Sequence, residues 1–322
     1  MLRRSLVPVA LTLTAAGCGS NRQSTLAPHS KPAGEIASLW WAMMIGAWVV
    51  FGVVVMLLAV AFLRRRGDRG RRDDSRAKRL ILVGGGLAPV VVLSTLFAFA
   101  VRTMPATSAP KGPAALTVEV IGHQWWWEVR YPGTDAVTAN ELHIPARTPV
   151  RLEVRTADVI HSFWVPELNR KIDLIPGRAS SILLQADRVG VYRGQCAEFC
   201  GLQHANMAFF VFADPPARFR AWLARESRPA AVHGQGEAAF VGVGCAACHT
   251  IRGTAARGEV GPDLTHVASR TSLAALTIPN TKGHLAAWIA DPQHVKPGNH
   301  MPDLDLKGPE VQAVVDYLER LR

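Results

Sequence analysis

Two uncharged runs constrain this chain more than any other feature. Leu39 to Leu63 reads LWWAMMIGAWVVFGVVVMLLAVAFL, and Leu80 to Val101 reads LILVGGGLAPVVVLSTLFAFAV. Each is longer than the roughly 20 helical residues that cross about 30 Å of hydrocarbon. Either run alone could be the core helix of a soluble protein. Two of them, divided by one short charged segment, make a membrane hairpin over residues 39–101. The divider, Arg64 to Arg79, carries nine Lys/Arg against three Asp, so it supplies +6 of the chain's net +11. A basic run invites a nucleic-acid reading. The positive-inside rule explains it better, because a short basic loop between two spans stays in the cytoplasm. Both chain ends then lie outside, and the basic balance reports orientation, with no nucleic-acid partner.

The first 18 residues, MLRRSLVPVALTLTAAGC, have a basic start, an apolar centre and small residues before Cys18. That is the layout of an export signal. Ala15-Ala16-Gly17-Cys18 resembles a bacterial lipobox, which implies a lipid on Cys18 and a tether over residues 19–38. An ordinary cleavage site beside an incidental cysteine is the competing reading. Four further cysteines form two close pairs, 196/200 and 245/248, each next to a histidine. An even count in an exported domain suggests disulfides, but the adjacent histidines point to cofactors.

Outside the membrane the pattern divides again. Residues 112–225 read as β structure: Leu116 to Ile121, Val150 to Val154 and, less clearly, Ser181 to Leu184 alternate faces between turns such as YPGTD and IPGR. Short strands over about a hundred residues suggest an all-β sandwich or small barrel. Residues 226–236, ESRPAAVHGQG, suit a linker. Residues 237–322 read as all-α, with apolar residues at helical spacing over Lys282 to Ala290 and Glu310 to Leu321, and Pro309 just ahead of the last helix.

Cys196, Cys200, His204 and Met207 form C-x3-C-x3-H-x2-M within CAEFCGLQHANM. Thiolate, imidazole and thioether together suit copper. Zinc rarely takes methionine, and a Cys196–Cys200 disulfide would leave His204 and Met207 without a role. Two thiolates can bridge two metal ions, and a dinuclear site calls for a second histidine. His161, in ADVIHSFWVPEL, follows a strand-like run and is the best candidate. Taken alone it would be a satisfied core or turn residue.

GHQWWWEVRYP, DVIHSFWVPEL, KIDLIPGR and CAEFCGLQHANM resemble subunit II of the haem–copper cytochrome c oxidases. The resemblance covers the hairpin and the first outside domain. It implies a cupredoxin-like sandwich with a dinuclear CuA centre of two copper ions. Cys196 and Cys200 would bridge the coppers, and His161 and His204 would each give an imidazole. Met207 and the Glu198 carbonyl would be weak ligands. The Glu198 carboxylate would reach a magnesium ion shared with subunit I, which is suitable chemistry for a hard cation; otherwise it is a solvated loop glutamate. Of the three consecutive tryptophans, Trp125 would lie on the surface near copper and pass electrons inward. Trp126 stands where the family usually has tyrosine, and at least one of the three should be core. The chain departs from the family in the second membrane helix. Against Glu-x-x-Trp-Thr-x-x-Pro, anchored on Pro89, it has Leu82, Gly85 and Gly86, so the usual proton-channel glutamate is missing.

Cys245-Ala-Ala-Cys248-His249 is the C-x-x-C-H motif of covalent haem c attachment, with His249 as proximal iron ligand. A thioredoxin-like pair is the rival, and the following histidine, the external location and the helical surroundings disfavour it. Met301 in GNHMPDL resembles the axial methionine of class I cytochromes c, with His300 as its competitor. Pro262 is expected to hold His249 through a backbone contact. The whole pattern resembles an oxidase subunit II with a cytochrome c fused to its C-terminus. It implies a route from a soluble or membrane-bound cytochrome c donor through haem c and CuA to subunit I, where oxygen is reduced with proton pumping. Subunit III is a further expected partner, and the bacterial inner membrane, with both domains on the periplasmic side, the expected location. A component of another CuA enzyme, such as a nitrous oxide or nitric oxide reductase, is one rival; the hairpin, Glu198 and GHQWWW disfavour it. A non-enzymatic redox-sensing lipoprotein is the other.

Overall fold

The computed structural model describes residues 23–64, 74–107, 114–232 and 234–322. Cys18, the expected export signal and the middle of the basic loop lie outside them. Helix α1 spans Lys31–Arg64. The second span is built from α2 (Asp74–Leu82), a π-turn over Val83–Leu87 and α3 (Ala88–Thr107). Both spans are longer than the uncharged runs suggest, and α2 begins inside the basic segment. The π-turn falls on Gly84, Gly85 and Gly86, where no side chain opposes the wider winding. No acidic residue occurs from Ser75 to Pro105, so that stretch offers no carboxylate in place of the missing glutamate. Trp48, Phe62 and Phe97 are each more than 60% exposed on these helices. Such continuous apolar faces need lipid or protein around them.

Residues 23–30 pack against the sandwich. The Gln23 side chain donates to Gln195 Oε1 at 3.1 Å, and the His29 N–H donates to the Glu167 carbonyl at 2.9 Å. Ser30 caps α1, its hydroxyl accepting from the Ala33 N–H at 3.1 Å and donating to the Leu168 carbonyl. One side chain thus satisfies an orphan helix donor and ties the membrane helix to the outer domain.

The first outer domain is a sandwich of two five-stranded sheets. The strands are β1 (Leu116–His123), β2 (Trp126–Arg130), β3 (Val137–Ala139), β4 (Glu141–Pro145), β5 (Val150–Thr156), β6 (His161–Trp164), β7 (Ile172–Leu174), β8 (Ser180–Leu184), β9 (Gly190–Cys196) and β10 (Ala208–Asp214). One sheet runs β3-β2-β1-β5-β8 and the other β4-β10-β9-β6-β7. The alternation in Val150–Val154 holds: Val150, Leu152 and Val154 are buried, and Arg151 and Glu153 face outward. Their partners on the facing sheet include Leu142, Phe163, Leu174 and Phe209. Helix α4 (Pro216–Glu226) closes one end with Phe219 and Trp222 against Tyr131.

The second outer domain contains α5 (Gln235–Gly242), α6 (Lys282–Ala290), α7 (Pro292–Val295) and α8 (Gly308–Leu318). The last helix starts two residues earlier than its periodicity indicates, with Pro309 inside its first turn, where no helical donor is lost. It packs across α5: Phe240 meets Tyr317 at 6.1 Å, and a Cβ on Gly236 would sit 2.7 Å from Tyr317 Cβ.

Candidate copper and haem sites

Strand pairing builds the first site. β6 and β9 are neighbours, with Phe163 opposite Cys196, so His161 at the start of β6 lies beside the end of β9. The segment 197–207 leaves there and folds back, the Cys196 N–H donating to the Met207 carbonyl at 2.9 Å. Gly201 makes the return possible. Its φ is +115°, and a Cβ would meet the Trp125 ring at 3.0 Å.

Every copper candidate converges here. The two sulfurs lie 3.8 Å apart as free thiols. Cys196 Sγ is 3.9 Å from His161 Nδ1 and 3.2 Å from the Glu198 carbonyl oxygen. Cys200 Sγ is 3.6 Å from His204 Nδ1 and 3.7 Å from Met207 Sδ. His161 and Met207 have no exposed surface. The hydrogen bond between the sulfurs lowers Cys196 and raises Cys200. Soft donors around a pair of sulfurs fit copper. The geometry brings together His161, Cys196, Cys200, His204, Met207 and the backbone of Glu198.

Asp158 belongs to this site and was missed in the sequence, although it stands only three residues before His161. Its carboxylate accepts from His161 Nε2 at 2.8 Å, leaving Nδ1 to face the sulfurs. Burial disfavours both charges. The His161 contact, with the backbone N–H groups of Gln124 and Val159, nevertheless holds Asp158 below the usual carboxylate range, and the Asp158 contact raises His161.

The Glu198 side chain pairs with Lys171. Lys171 Nζ lies 3.5 Å from it and 3.1 Å from Asp173. Among the described residues this face presents carboxylates bridged by an ammonium, and no closed cation site.

The tryptophans differ from expectation in one respect. Trp127 is core, packed on Phe163 and Phe209. Trp126 stacks on His123 at 4.3 Å. Trp125 is only 6% exposed, not a surface residue, because the second outer domain lies over it. Its indole Nε1 donates to the Cys200 carbonyl at 3.0 Å, and its ring meets His300 at 5.2 Å.

A cavity of about 590 Å³ lies beneath this contact, lined by Cys245, Cys248, His249 and Met301 and, from the sandwich, by Trp125 and Trp126. His249 Nδ1 bonds the Pro262 carbonyl at 2.8 Å, as expected, which directs Nε2 to the ligating role. Burial lowers His249 and keeps it a neutral donor. A Cβ on Gly261 would sit 2.5 Å from His249 Cε1, so only glycine fits against the ring. Met301 is carried on a fixed loop: its N–H donates to Asn299 Oδ1 at 2.8 Å, and its carbonyl accepts from Gln293 Nε2 at 2.9 Å. His300 and Met301 both line the cavity, with the His300 ring turned to Trp125. His266 is buried, with Nε2 bonded to the Arg228 carbonyl. On the cavity wall, Arg270 Nε and Ser272 Oγ are buried without partners. Orphaned donors of this kind fit an anionic, flat, apolar group such as haem. Arg270 left no signal in the sequence beyond its charge.

Comparison with known proteins identifies both domains. The family "Cytochrome C oxidase subunit II, periplasmic domain" matches residues 135–213, and "Cytochrome c" matches residues 234–322. Cytochrome c oxidase subunit 2 of Alkalihalophilus pseudofirmus is 33% identical over 288 residues, covering 85% of this chain and 82% of the relative. The chain belongs to the cytochrome c oxidase subunit 2 family. Cytochrome c oxidase subunit 2 of Bacillus subtilis is 28% identical over 100% of this chain and 97% of its own length. A copper-bearing periplasmic-type domain and a haem-bearing cytochrome c domain therefore share one chain, within a haem–copper oxidase complex that includes subunit I.

Proposed function

We propose that this chain is the electron-intake subunit of a terminal respiratory cytochrome c oxidase, with its own cytochrome c as first acceptor. The observation that carries the reading is adjacency: the haem-type cavity and the copper-type cluster adjoin at Trp125, which lines the cavity and whose indole is bonded to the Cys200 carbonyl. Bound in these sites, haem c and the copper pair each supply a reversible one-electron carrier. The residues do the rest. Cys245 and Cys248 would hold haem c covalently, and His249 and Met301 would supply its iron with an imidazole and a thioether. A thioether axial ligand favours a high potential, which suits a donor to an oxidase. Cys196 and Cys200 would hold copper through their thiolates and His161 and His204 through their imidazoles, with Met207 and the Glu198 carbonyl as weaker ligands. Burial of the cluster limits reorganisation when its charge changes. Trp125 is the bridging side chain for electron intake.

Several finer assignments belong to the same reading. The Glu198 carboxylate is offered to a magnesium ion completed by subunit I, which requires Lys171 to be displaced. Export by the N-terminal signal, acylation of Cys18, a periplasmic position for both outer domains at the inner membrane, contact with subunit III, an external cytochrome c donor and coupling to proton translocation all follow from the family resemblance and the charge pattern. Leu82 in place of the usual glutamate requires that any proton channel open elsewhere.

Affinity purification of the tagged full-length chain from its own membranes tests the function. Co-purification of a haem-bearing subunit I, with oxygen uptake driven by ferrocytochrome c, is expected. A chain that carries copper and haem but brings down no oxidase subunit would be a redox-sensing lipoprotein instead.

A further inference from the structure

The copper and haem assignments leave the buried Lys296 without a role. Lys296 is 3% exposed, yet among the described residues no carboxylate pairs with it. Its three donors instead reach three backbone carbonyls: Trp125 at 2.9 Å, Asn206 at 2.8 Å and Ala274 at 3.0 Å. Trp125 and Asn206 belong to the sandwich and flank the copper-type cluster, whereas Ala274 belongs to the cytochrome domain. An ammonium has three N–H donors and no acceptor, so this environment satisfies it fully. Bonds from a charged donor are also stronger than neutral ones.

Neighbouring contacts fix the same seam. Gln203 Nε2 donates to the Pro297 carbonyl at 2.6 Å. Gly298, with φ +77°, lies so close to Leu202 that a Cβ would be 2.9 Å from its methyl. On the other side of the seam, Glu141 accepts from the Thr271 N–H and hydroxyl at 2.6 and 2.5 Å. Lys296 is the one residue among these that binds the Trp125 backbone itself.

We propose that Lys296 is a positioning residue for electron intake, clamping the mouth of the haem cavity against Trp125 by binding both domains at once. The inference rests on the functional reading above. Its consequence is that Trp125 is closed to external donors, and electrons reach it only through the fused cytochrome domain. A freely swinging domain would have no use for a lysine desolvated between three carbonyls. Burying an ammonium is costly unless every donor is bonded, so the clamp closes only at one docking geometry.

The test uses the full-length chain in the assembled oxidase, comparing native Lys296 with Lys296→Met and Lys296→Arg. Hydrogen–deuterium exchange is read at residues 124–127, 200–206 and 270–276. In the Met variant, exchange at these seam amides should rise about tenfold or more, while α5 and α8 keep their protection. Turnover should fall with an unchanged KM for the external donor. The Arg variant, which keeps several donors, should recover part of the seam protection. Unchanged seam exchange in the Met variant overturns the proposal. Equal effects of Met and Arg also overturn it, because side-chain shape and not carbonyl binding would then be responsible. If the Met variant loses a cofactor, Lys296→Gln replaces it, with the same rise expected and the same unchanged result fatal. Optical spectra of both centres report separately on the functional reading: a native chain without them refutes that reading, whatever the exchange shows.

Discussion

Asp158→Asn isolates the group that orients His161. The substitution keeps the side chain's shape, so no cavity opens. The His161 Nε2–H can still donate to an amide oxygen at the 2.8 Å position, but the acceptor is no longer charged. A hydrogen bond to a charged partner contributes about 1.5–3 kcal/mol and a neutral one about 0.5–1.5. The amide NH2 would also face the Gln124 N–H, which now donates to Asp158 Oδ2 at 2.7 Å, placing donor against donor. The two effects together amount to about 1–3 kcal/mol, or roughly 10- to 100-fold in metal affinity, in the range found for partners behind metal-bound histidines. Competition between the purified full-length chain and a copper chelator of known affinity measures this directly. The haem spectrum serves as the internal control for folding. Copper affinity within about twofold of the native chain would refute the orienting role of Asp158.

Three further outcomes follow from the geometry. Gly261→Ala places a methyl 2.5 Å from His249 Cε1 and should displace the imidazole. Weakening of the proximal iron bond in the optical spectrum, with the copper signal intact, checks it. Met207→Leu preserves volume at a site with no exposure, so copper should remain bound with its thiolate colour while its reduction potential changes; redox titration reads the shift. Glu226 is 2% exposed, and burial pushes it up to about 7. Between about pH 4.5 and 7 the native chain holds this proton and the unfolded chain does not, so stability should fall as pH rises through that window, by up to about 3 kcal/mol. Glu226→Gln should flatten this slope in denaturation measured across the window.

The membrane spans and both ligand clusters were legible because their chemistry is local in sequence. Twelve residues hold Cys196, Cys200, His204 and Met207, five hold Cys245 to His249, and hydrophobic length marks the spans without any tertiary knowledge. His161 was reachable only because the cluster needed a second imidazole; the β6–β9 pairing supplies the reason. The β alternation in Val150–Val154 was equally plain. What depends on contacts distant in sequence was not. Trp125 reads as a surface residue until the cytochrome domain covers it, and that cover is built by residues about 170 positions later, through Lys296. Arg270 reads as one more surface charge, yet it lines the haem cavity with a buried, unpartnered Nε. The π-turn at Gly84 to Gly86 follows from three glycines whose pattern is equally compatible with a straight helix.

Metal and haem analysis of the purified chain, combined with its optical spectrum, tests the central claim most directly. Two coppers and one covalent haem per chain are expected, with a mixed-valence thiolate copper spectrum and a methionine-to-iron charge-transfer band in the oxidised form. Haem without copper, together with a Cys196–Cys200 disulfide in copper-replete cells, would contradict it and leave a membrane-anchored cytochrome c.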